Sequence, residues 1–284
     1  MPYANVNGTN LYYEEYGTGP AVMLTPGGRN DTNGLRPIAA LLSPHCRVIL
    51  HDRRNCGKSD IVIGGELSEQ HAWGEEMAGL LKQIGAAPAY LIGGSAGSRT
   101  SITVAVRHPE VVKGIYVWEV SGGPISGTSM SPGYYGQYID AAEQGGMAAV
   151  AETDFFAQRI KDNPSNRDRL MSMDVKEFLS VMRRWQAEFA RPNPVGDLTE
   201  EEAWTISPGP ARARIGATDV AAVMAKALPS VGGAQPMQAT SMDTSGLERL
   251  VSTRLDALDD TMHNLESRLL ETLPEILVAS GMLN

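Results

Sequence analysis

Hydrophobic residues in the first part of the chain occur in short runs that polar and glycine-rich turns separate. Residues 3–16 alternate around Asn7-Gly8, a dipeptide that accepts positive φ at both turn positions, and this pattern predicts a β-hairpin. Short apolar runs then predict buried strands over residues 21–25, 47–50, 89–92 and 112–118.

Between these runs, apolar residues recur at three- and four-residue spacing, which is typical of amphipathic helices. The clearest example is 68–84, where Trp73 and Met77 share one face. Further helices are predicted at about 34–42 and 97–107. Strands that alternate with helices in this way predict an α/β fold with a mostly parallel sheet and helices on both faces.

The pattern changes near residue 122, after which helical segments are rich in large aromatic side chains. No buried-strand pattern interrupts residues 123–204, so we interpret them as a helical cap over the sheet. Most of its rings should pack between helices, and a few should line a pocket. The predicted regions are the first part of an α/β core (1–122), the cap (123–204) and an atypical helical C-terminal region (205–284).

The C-terminal region differs in composition, because residues 205–284 contain none of the 17 aromatic side chains. Apolar residues at spacings of four and three predict one long amphipathic helix over 247–273. Such a stripe is typical of a protein core or of a subunit interface. Contact between copies of this chain through 247–273 is therefore one prediction.

Composition and charge exclude several classes of protein. The formal charge is −9 and no basic cluster occurs, so nucleic acid is not an expected partner. The sequence contains no run of about 18 apolar residues, so no membrane span is expected. The N-terminus lacks the features of a signal peptide. The two cysteines, Cys46 and Cys56, lack the spacing of a metal site or a disulfide scaffold. We therefore expect a cytoplasmic protein with no metal site.

The motif that carries chemistry is Gly93-Gly94-Ser95-Ala96-Gly97, between a predicted strand and a predicted helix. It fits Gly-x-Ser-x-Gly, the nucleophile elbow, in which serine occupies a strained strand-to-helix turn. The helix N-terminus behind it favours developing negative charge. We predict Ser95 as nucleophile, with an oxyanion hole made by the amides of Ala96 and of Gly28 in the loop Pro26-Gly27-Gly28.

These segments resemble the α/β-hydrolase fold superfamily over residues 1 to about 122, and a helical cap is also similar to such enzymes. The resemblance is carried by residues 3–20, 26–28, 52–59, 93–97 and 107–114. Pro26 departs from the family, which usually has His there, but backbone amide donors do not need that side chain. The resemblance implies a serine hydrolase with an acid and a histidine base, and no metal or organic cofactor.

The resemblance places the acid after a strand that follows the elbow helix. Glu119 directly follows the predicted strand 112–118, at the carboxyl end of the sheet, and a solvated loop carboxylate is the alternative interpretation. Asp219 resembles a second position after the cap. We favour Glu119, because the segment before Asp219 is polar where a buried strand should be apolar.

The resemblance places the base near the C-terminus, and of the five histidines only His263 lies late enough. His263 falls within the predicted helix 247–273, one residue off its apolar stripe, so a solvated histidine is the alternative. Two explanations follow. Either the base comes from an unusual place, or the region from about residue 207 is foreign to the fold.

The leading hypothesis is a serine hydrolase that acts on an ester, lactone or related carbonyl bond of a small apolar substrate held under the cap. Ser95 would attack the carbonyl, and a histidine oriented by Glu119 would move the proton. The alternative is a catalytically impaired binding protein of the same fold, with 247–273 available for contact with a partner or a second copy.

Overall fold

The computed structural model describes residues 3–118, residue 120 and residues 123–190. The chain divides into two units, Met1–Pro208 and Gly209–Asn284, and every described residue lies in the first. The predicted helix 247–273 lies outside the described residues. The region boundaries at residues 122 and 204 remain predictions.

The described strands form one mixed sheet. They are β1 Tyr3–Val6, β2 Thr9–Tyr16, β3 Ala21–Thr25, β4 Arg47–His51, β5 Ala89–Gly94 and β6 Val112–Trp118. Their order is β1-β2-β4-β3-β5-β6, with β3 to β6 parallel and β2 antiparallel to both β1 and β4. Asn7 and Gly8 both have positive φ in the turn of the β1–β2 hairpin, so the hairpin prediction is confirmed.

Three helices flank the sheet: α1 Arg36–Leu42, α2 Glu69–Gln83 and α3 Ala96–Arg107. A 3-10 turn over Thr32–Leu35 precedes α1, where sequence pattern predicted α-helix from about residue 34. Ser68 caps α2 by accepting a hydrogen bond from the His71 amide. A fully buried apolar cluster, which includes Met23, Ile49 and Leu91 of the sheet and Met77 and Leu81 of α2, forms part of the core.

Helices make up most of residues 123 to 190, as the absence of a buried-strand pattern predicted. It contains α4 Gly123–Ser131, a π-helical turn Pro132–Gly136, α5 Gln137–Glu152, α6 Asp154–Asp162, α7 Ser165–Met171 and α8 Val175–Phe189. These helices share their own apolar cluster, centred on buried rings such as Tyr135, Phe156 and Trp185. In the described part of the chain, no helix combines the length and the hydrophobicity that crossing a membrane needs.

Candidate active site

Ser95 lies on the turn that joins β5 to α3. Its backbone has φ 51° and ψ −115°, a conformation that non-glycine residues rarely adopt and that costs on the order of 1–3 kcal/mol. Ser95 is partly exposed, and β5 lies between the parallel strands β3 and β6. The predicted strained turn is therefore present. It lies at the carboxyl end of the parallel strands, where α/β proteins bind ligands.

Two glycines allow this turn, because neighbouring backbone passes directly over them. A methyl group built on Gly97 would lie 2.3 Å from the Thr25 carbonyl oxygen, and one on Gly93 would lie 2.5 Å from the carbonyl carbon of Gly97. Either contact would force the backbone to move. Ser98 supports the same turn, since its hydroxyl donates to the Gly93 carbonyl at 2.8 Å.

The loop after β3 runs beside Ser95. A methyl group on Gly27 would lie 3.6 Å from Ser95 Cβ, and the Asn30 amide donates to the Gly27 carbonyl at 3.2 Å to close a turn. Gly28 has φ +49°, a left-handed conformation that favours glycine. Gly28 and Ala96 therefore belong to two segments that meet at Ser95, which is the arrangement that an oxyanion hole needs.

A tyrosine from the helical region reaches the same loop. The hydroxyl oxygen of Tyr134 lies 3.4 Å from where a methyl group on Gly28 would be. Its ring stacks on Phe189 of α8, with 5.2 Å between ring centroids. Burial raises the pKa of Tyr134, so its hydroxyl stays protonated at neutral pH and is able to donate a hydrogen bond.

Arg29, the residue after Gly28, connects the loop to the helical region. Its guanidinium lies 2.6 Å from the Glu69 carboxylate at the start of α2, and the Tyr135 hydroxyl donates to that carboxylate at 3.0 Å. The Arg29 Cζ atom also lies 4.9 to 5.8 Å from the centroids of four rings, those of Tyr134, Tyr135, Tyr138 and Phe155. The buried Arg29–Glu69 ion pair thus joins the loop to α2, and the tyrosines around it belong to the helical region.

Asp52, which follows β4, orders two loops beside the site. Its carboxylate accepts hydrogen bonds from the backbone amides of Thr32 and Lys58, both at 2.8 Å. A methyl group on Gly57 would lie 2.0 Å from Asp52 Oδ2, so the loop folds tightly around the carboxylate. Burial raises the pKa of Asp52 to about 6, although the two amides act in the opposite direction. Asp52 is therefore a structural carboxylate.

Three described histidines have partners other than Ser95. His51 Nε2 lies 3.3 Å from Thr25 Oγ1, and burial, with a smaller contribution from a neighbouring arginine, lowers the pKa of His51 to about 3. His71 and His108 both lie beside Glu75, with nitrogen–oxygen distances of 3.3 and 3.0 Å. Each of the three side chains therefore has a structural contact of its own.

The predicted acid and base lie outside the described residues: Glu119, the alternative acid Asp219, and His263. The strand register gives one relevant fact, since Trp118 at the end of β6 pairs with Gly94, the residue before Ser95. Of the predicted site residues, the structure describes Ser95, Gly28 and Ala96, and it brings these three together. No group of three or more His, Cys, Asp or Glu side chains in 3–118 or 123–190 is arranged to hold a metal ion.

Comparison with known proteins agrees with this fold. The sequence profile of the alpha/beta hydrolase fold matches residues 20–167, which is more than half of the chain. The chain belongs to the α/β hydrolase fold family. An ancestral haloalkane dehalogenase, AncHLD2, has a similar structure, with a TM-score of 0.50 and 17% identity over 72% of this chain and 76% of that one.

Two curated relatives share part of the sequence. The uncharacterized hydrolase YraK of Bacillus subtilis (strain 168) is 33% identical over 109 residues, which are 38% of this chain and 40% of that protein. The 2-hydroxy-6-oxononadienedioate/2-hydroxy-6-oxononatrienedioate hydrolase of Burkholderia vietnamiensis is 35% identical over 133 residues, 43% of this chain and 46% of that protein. The chain thus spans less than half the length of these relatives.

The arginines around the loop have no clear signature in the sequence. The Arg29 side chain is 8% exposed and the whole Arg53 residue is 1% exposed, whereas arginine is usually a surface residue. Arg29 pairs with Glu69, 40 positions away, and no periodic pattern links such distant positions. The signal in the sequence is weak: Arg29 directly follows the Pro26-Gly27-Gly28 loop, and Arg53 lies in the segment 52–59 that carries the family resemblance.

Proposed function

We propose that this chain is a serine hydrolase that cleaves an ester, a lactone or a related carbonyl bond. The observation that carries the proposal is the strained backbone of Ser95, with the Gly27-Gly28 turn against it. Such strain persists only where the surrounding structure imposes it, and it clusters at functional sites. The relatives that are named hydrolases support a hydrolytic reaction.

In the proposed reaction, Ser95 Oγ attacks the carbonyl carbon while a base takes its proton. The carbonyl electron pair moves to oxygen, and the Gly28 and Ala96 amides donate to the oxyanion, a stabilisation of about 3 kcal/mol for each donor. The intermediate collapses, and the leaving-group oxygen takes the proton. Water then hydrolyses the acyl-enzyme by the same steps. We assign the acid to Glu119 and the base to His263, and no step uses a metal or organic cofactor.

The proposed substrate is a small apolar carbonyl compound. Its support is Tyr134, whose hydroxyl reaches the Gly28 loop and whose ring packs against the apolar cluster of the helical region. The likeness to a haloalkane dehalogenase concerns the fold alone. Dehalogenase chemistry needs a carboxylate nucleophile, and a serine stands at this position.

Labelling with a fluorophosphonate tests the nucleophile. We expect one covalent adduct on Ser95, detected by peptide mass spectrometry, and loss of both the adduct and p-nitrophenyl butyrate turnover in Ser95→Ala. Ser172→Ala is the matched control, because Ser172 is exposed and lies between α7 and α8, far along the sequence from the elbow. An adduct that persists in Ser95→Ala, in folded protein, would contradict the assignment.

The acid and base require separate variants. We expect His263→Ala and Glu119→Gln to lower kcat while leaving the fold intact, with His45→Ala as an exposed histidine control. Unchanged, Ser95-dependent turnover in His263→Ala would show that another group is the base. A folded parent protein with neither adduct nor turnover would favour the alternative, a binding protein of this fold.

A further inference from the structure

Arg53 is a buried positive charge beside the candidate oxyanion hole. The residue is 1% exposed, and its Nε and Nη1 atoms have no hydrogen-bond partner among the residues that the structure describes. Within residues 3–118 and 123–190, no carboxylate forms an ion pair with it. Two other arginines with buried side chains differ, since Arg29 pairs with Glu69 and Arg54 pairs with Glu76.

The contacts that Arg53 does make lead to both candidate oxyanion donors. Its Nη2 atom donates to the Gly28 carbonyl oxygen at 2.6 Å. Its guanidinium lies over the Trp73 ring, 4.2 Å from the centroid. Trp73 in turn packs with Ala96 in a small buried cluster. Arg53 therefore contacts one donor segment directly and the other through a single ring.

A buried charge without a counter-ion opposes folding, because burial removes its hydration. The cation–π contact and one charge-assisted hydrogen bond offset only part of that cost. Retained positive charge of this kind would become favourable once negative charge develops nearby. In the proposed reaction, negative charge develops on the carbonyl oxygen held by Gly28 and Ala96.

We propose that Arg53 is a positioning residue, which holds the backbone at Gly28 through its carbonyl oxygen and supplies a permanent positive potential for the oxyanion of the tetrahedral intermediate. The inference rests on the proposed hydrolase function. It implies that the site binds tetrahedral anions more strongly than neutral esters. Arg53 acts through its hydrogen bond to the Gly28 carbonyl and through its positive charge, without contact to the substrate.

Kinetics of Arg53→Met and Arg53→Lys test this inference on a neutral p-nitrophenyl ester. We expect Arg53→Met to lower kcat about 10- to 100-fold, less than loss of an oxyanion donor itself, which costs about 10²- to 10³-fold. KM should change little. Arg53→Lys keeps the charge but loses the planar fork, so its kcat should lie between those of the parent and the methionine variant.

An alkyl boronic acid supplies the second measurement. Ser95 Oγ adds to the trigonal boron, its proton passes to the base, and the product is a tetrahedral boronate anion. We expect the inhibition constant to rise in Arg53→Met by about the same factor as kcat falls. Arg183→Met is the control, because Arg183 is an exposed arginine of α8 that should affect neither value.

The thermal stability of the same variants distinguishes an effect of the lost positive charge from disruption of the folded structure. We expect the thermal unfolding midpoint of Arg53→Met to stay within about 4 °C of the parent. Parent activity with unchanged kcat and boronate affinity in folded Arg53→Met would overturn the inference and leave the hydrolase assignment intact. If Arg53→Met does not fold, Arg53→Lys provides the test. The inference is overturned if Arg53→Lys loses no more affinity for the boronate than it loses for a neutral ketone. A parent without turnover refutes the hydrolase function itself.

Discussion

Arg29 Nη2 lies 2.6 Å from Glu69 Oε2, and the two side chains are only 8% and 1% exposed. Arg29 follows the candidate oxyanion donor Gly28, and Glu69 begins α2. The Tyr135 hydroxyl and the side-chain amide of Asn55 also donate hydrogen bonds to the Glu69 carboxylate. The geometry of the loop beside Ser95 therefore depends on a buried ion pair that the helical region helps to enclose.

Removal of one partner of this pair should be strongly destabilising. We expect Arg29→Met to lower the free energy of unfolding by about 3 kcal/mol or more, because it leaves the Glu69 carboxylate buried without its counter-charge. Replacing both partners, in Arg29→Met/Glu69→Leu, should cost less than the two single changes together. Urea unfolding of the singles and the double measures the coupling.

An exposed arginine pair provides the control for this prediction. Arg183 pairs with Glu143, and both side chains are about half exposed. We expect Arg183→Met to change the free energy of unfolding by less than about 1 kcal/mol. Equal effects of Arg29→Met and Arg183→Met would show that burial of the Arg29–Glu69 pair contributes little to stability.

The elbow should tolerate no side chain at Gly97. A methyl group there would lie 2.3 Å from the Thr25 carbonyl oxygen, and relief of that contact requires β3 or α3 to move. We expect Gly97→Ala to cost at least about 2 kcal/mol in urea unfolding. Gly34→Ala is the matched control, because a methyl group on Gly34 would have nothing within 4 Å and its cost should be near zero.

Much of the core was predictable because its elements are defined by local pattern. Short apolar runs indicated β3 to β6 directly, and the positive-φ preference of Asn7-Gly8 indicated the hairpin. The start of α1 was less well predicted, since Asp31 caps a 3-10 turn before the α-helix begins. Strand order was open, because it depends on pairing between distant segments such as β3 and β5.

The candidate site was predictable only in part. Ser95 and its flanking glycines follow from spacing alone, since close backbone approach excludes larger residues. The Arg53–Gly28 hydrogen bond and the contact of Tyr134 with the same loop join segments that are 25 or more positions apart. Such contacts arise from tertiary packing, which a linear pattern of hydrophobic residues does not encode.

Strain at Ser95 should appear as a gain in stability when it is relieved. We expect Ser95→Gly to raise the free energy of unfolding by about 1 kcal/mol, because glycine adopts φ 51° and ψ −115° without penalty. Ser95→Ala keeps the strain and should change stability little, so it is the control. Both variants should lack turnover. A less stable Ser95→Gly would mean that contacts of the side chain outweigh the backbone strain.

His51 should make stability depend on pH. Its pKa falls from 6.5 to about 3 in the folded protein, mainly because the ring is buried. The unfolded chain therefore binds more protons between about pH 6.5 and 3, and the stabilisation, complete above pH 6.5, is lost as pH falls through this window. Between pH 7.5 and 5 we expect the parent to lose on the order of 2 kcal/mol relative to His51→Gln. Urea unfolding at several pH values measures the difference in the free energy of unfolding between the parent and His51→Gln. The contributions of the other titrating groups cancel in that difference. Parallel stability curves for parent and variant would show that His51 has no depressed pKa.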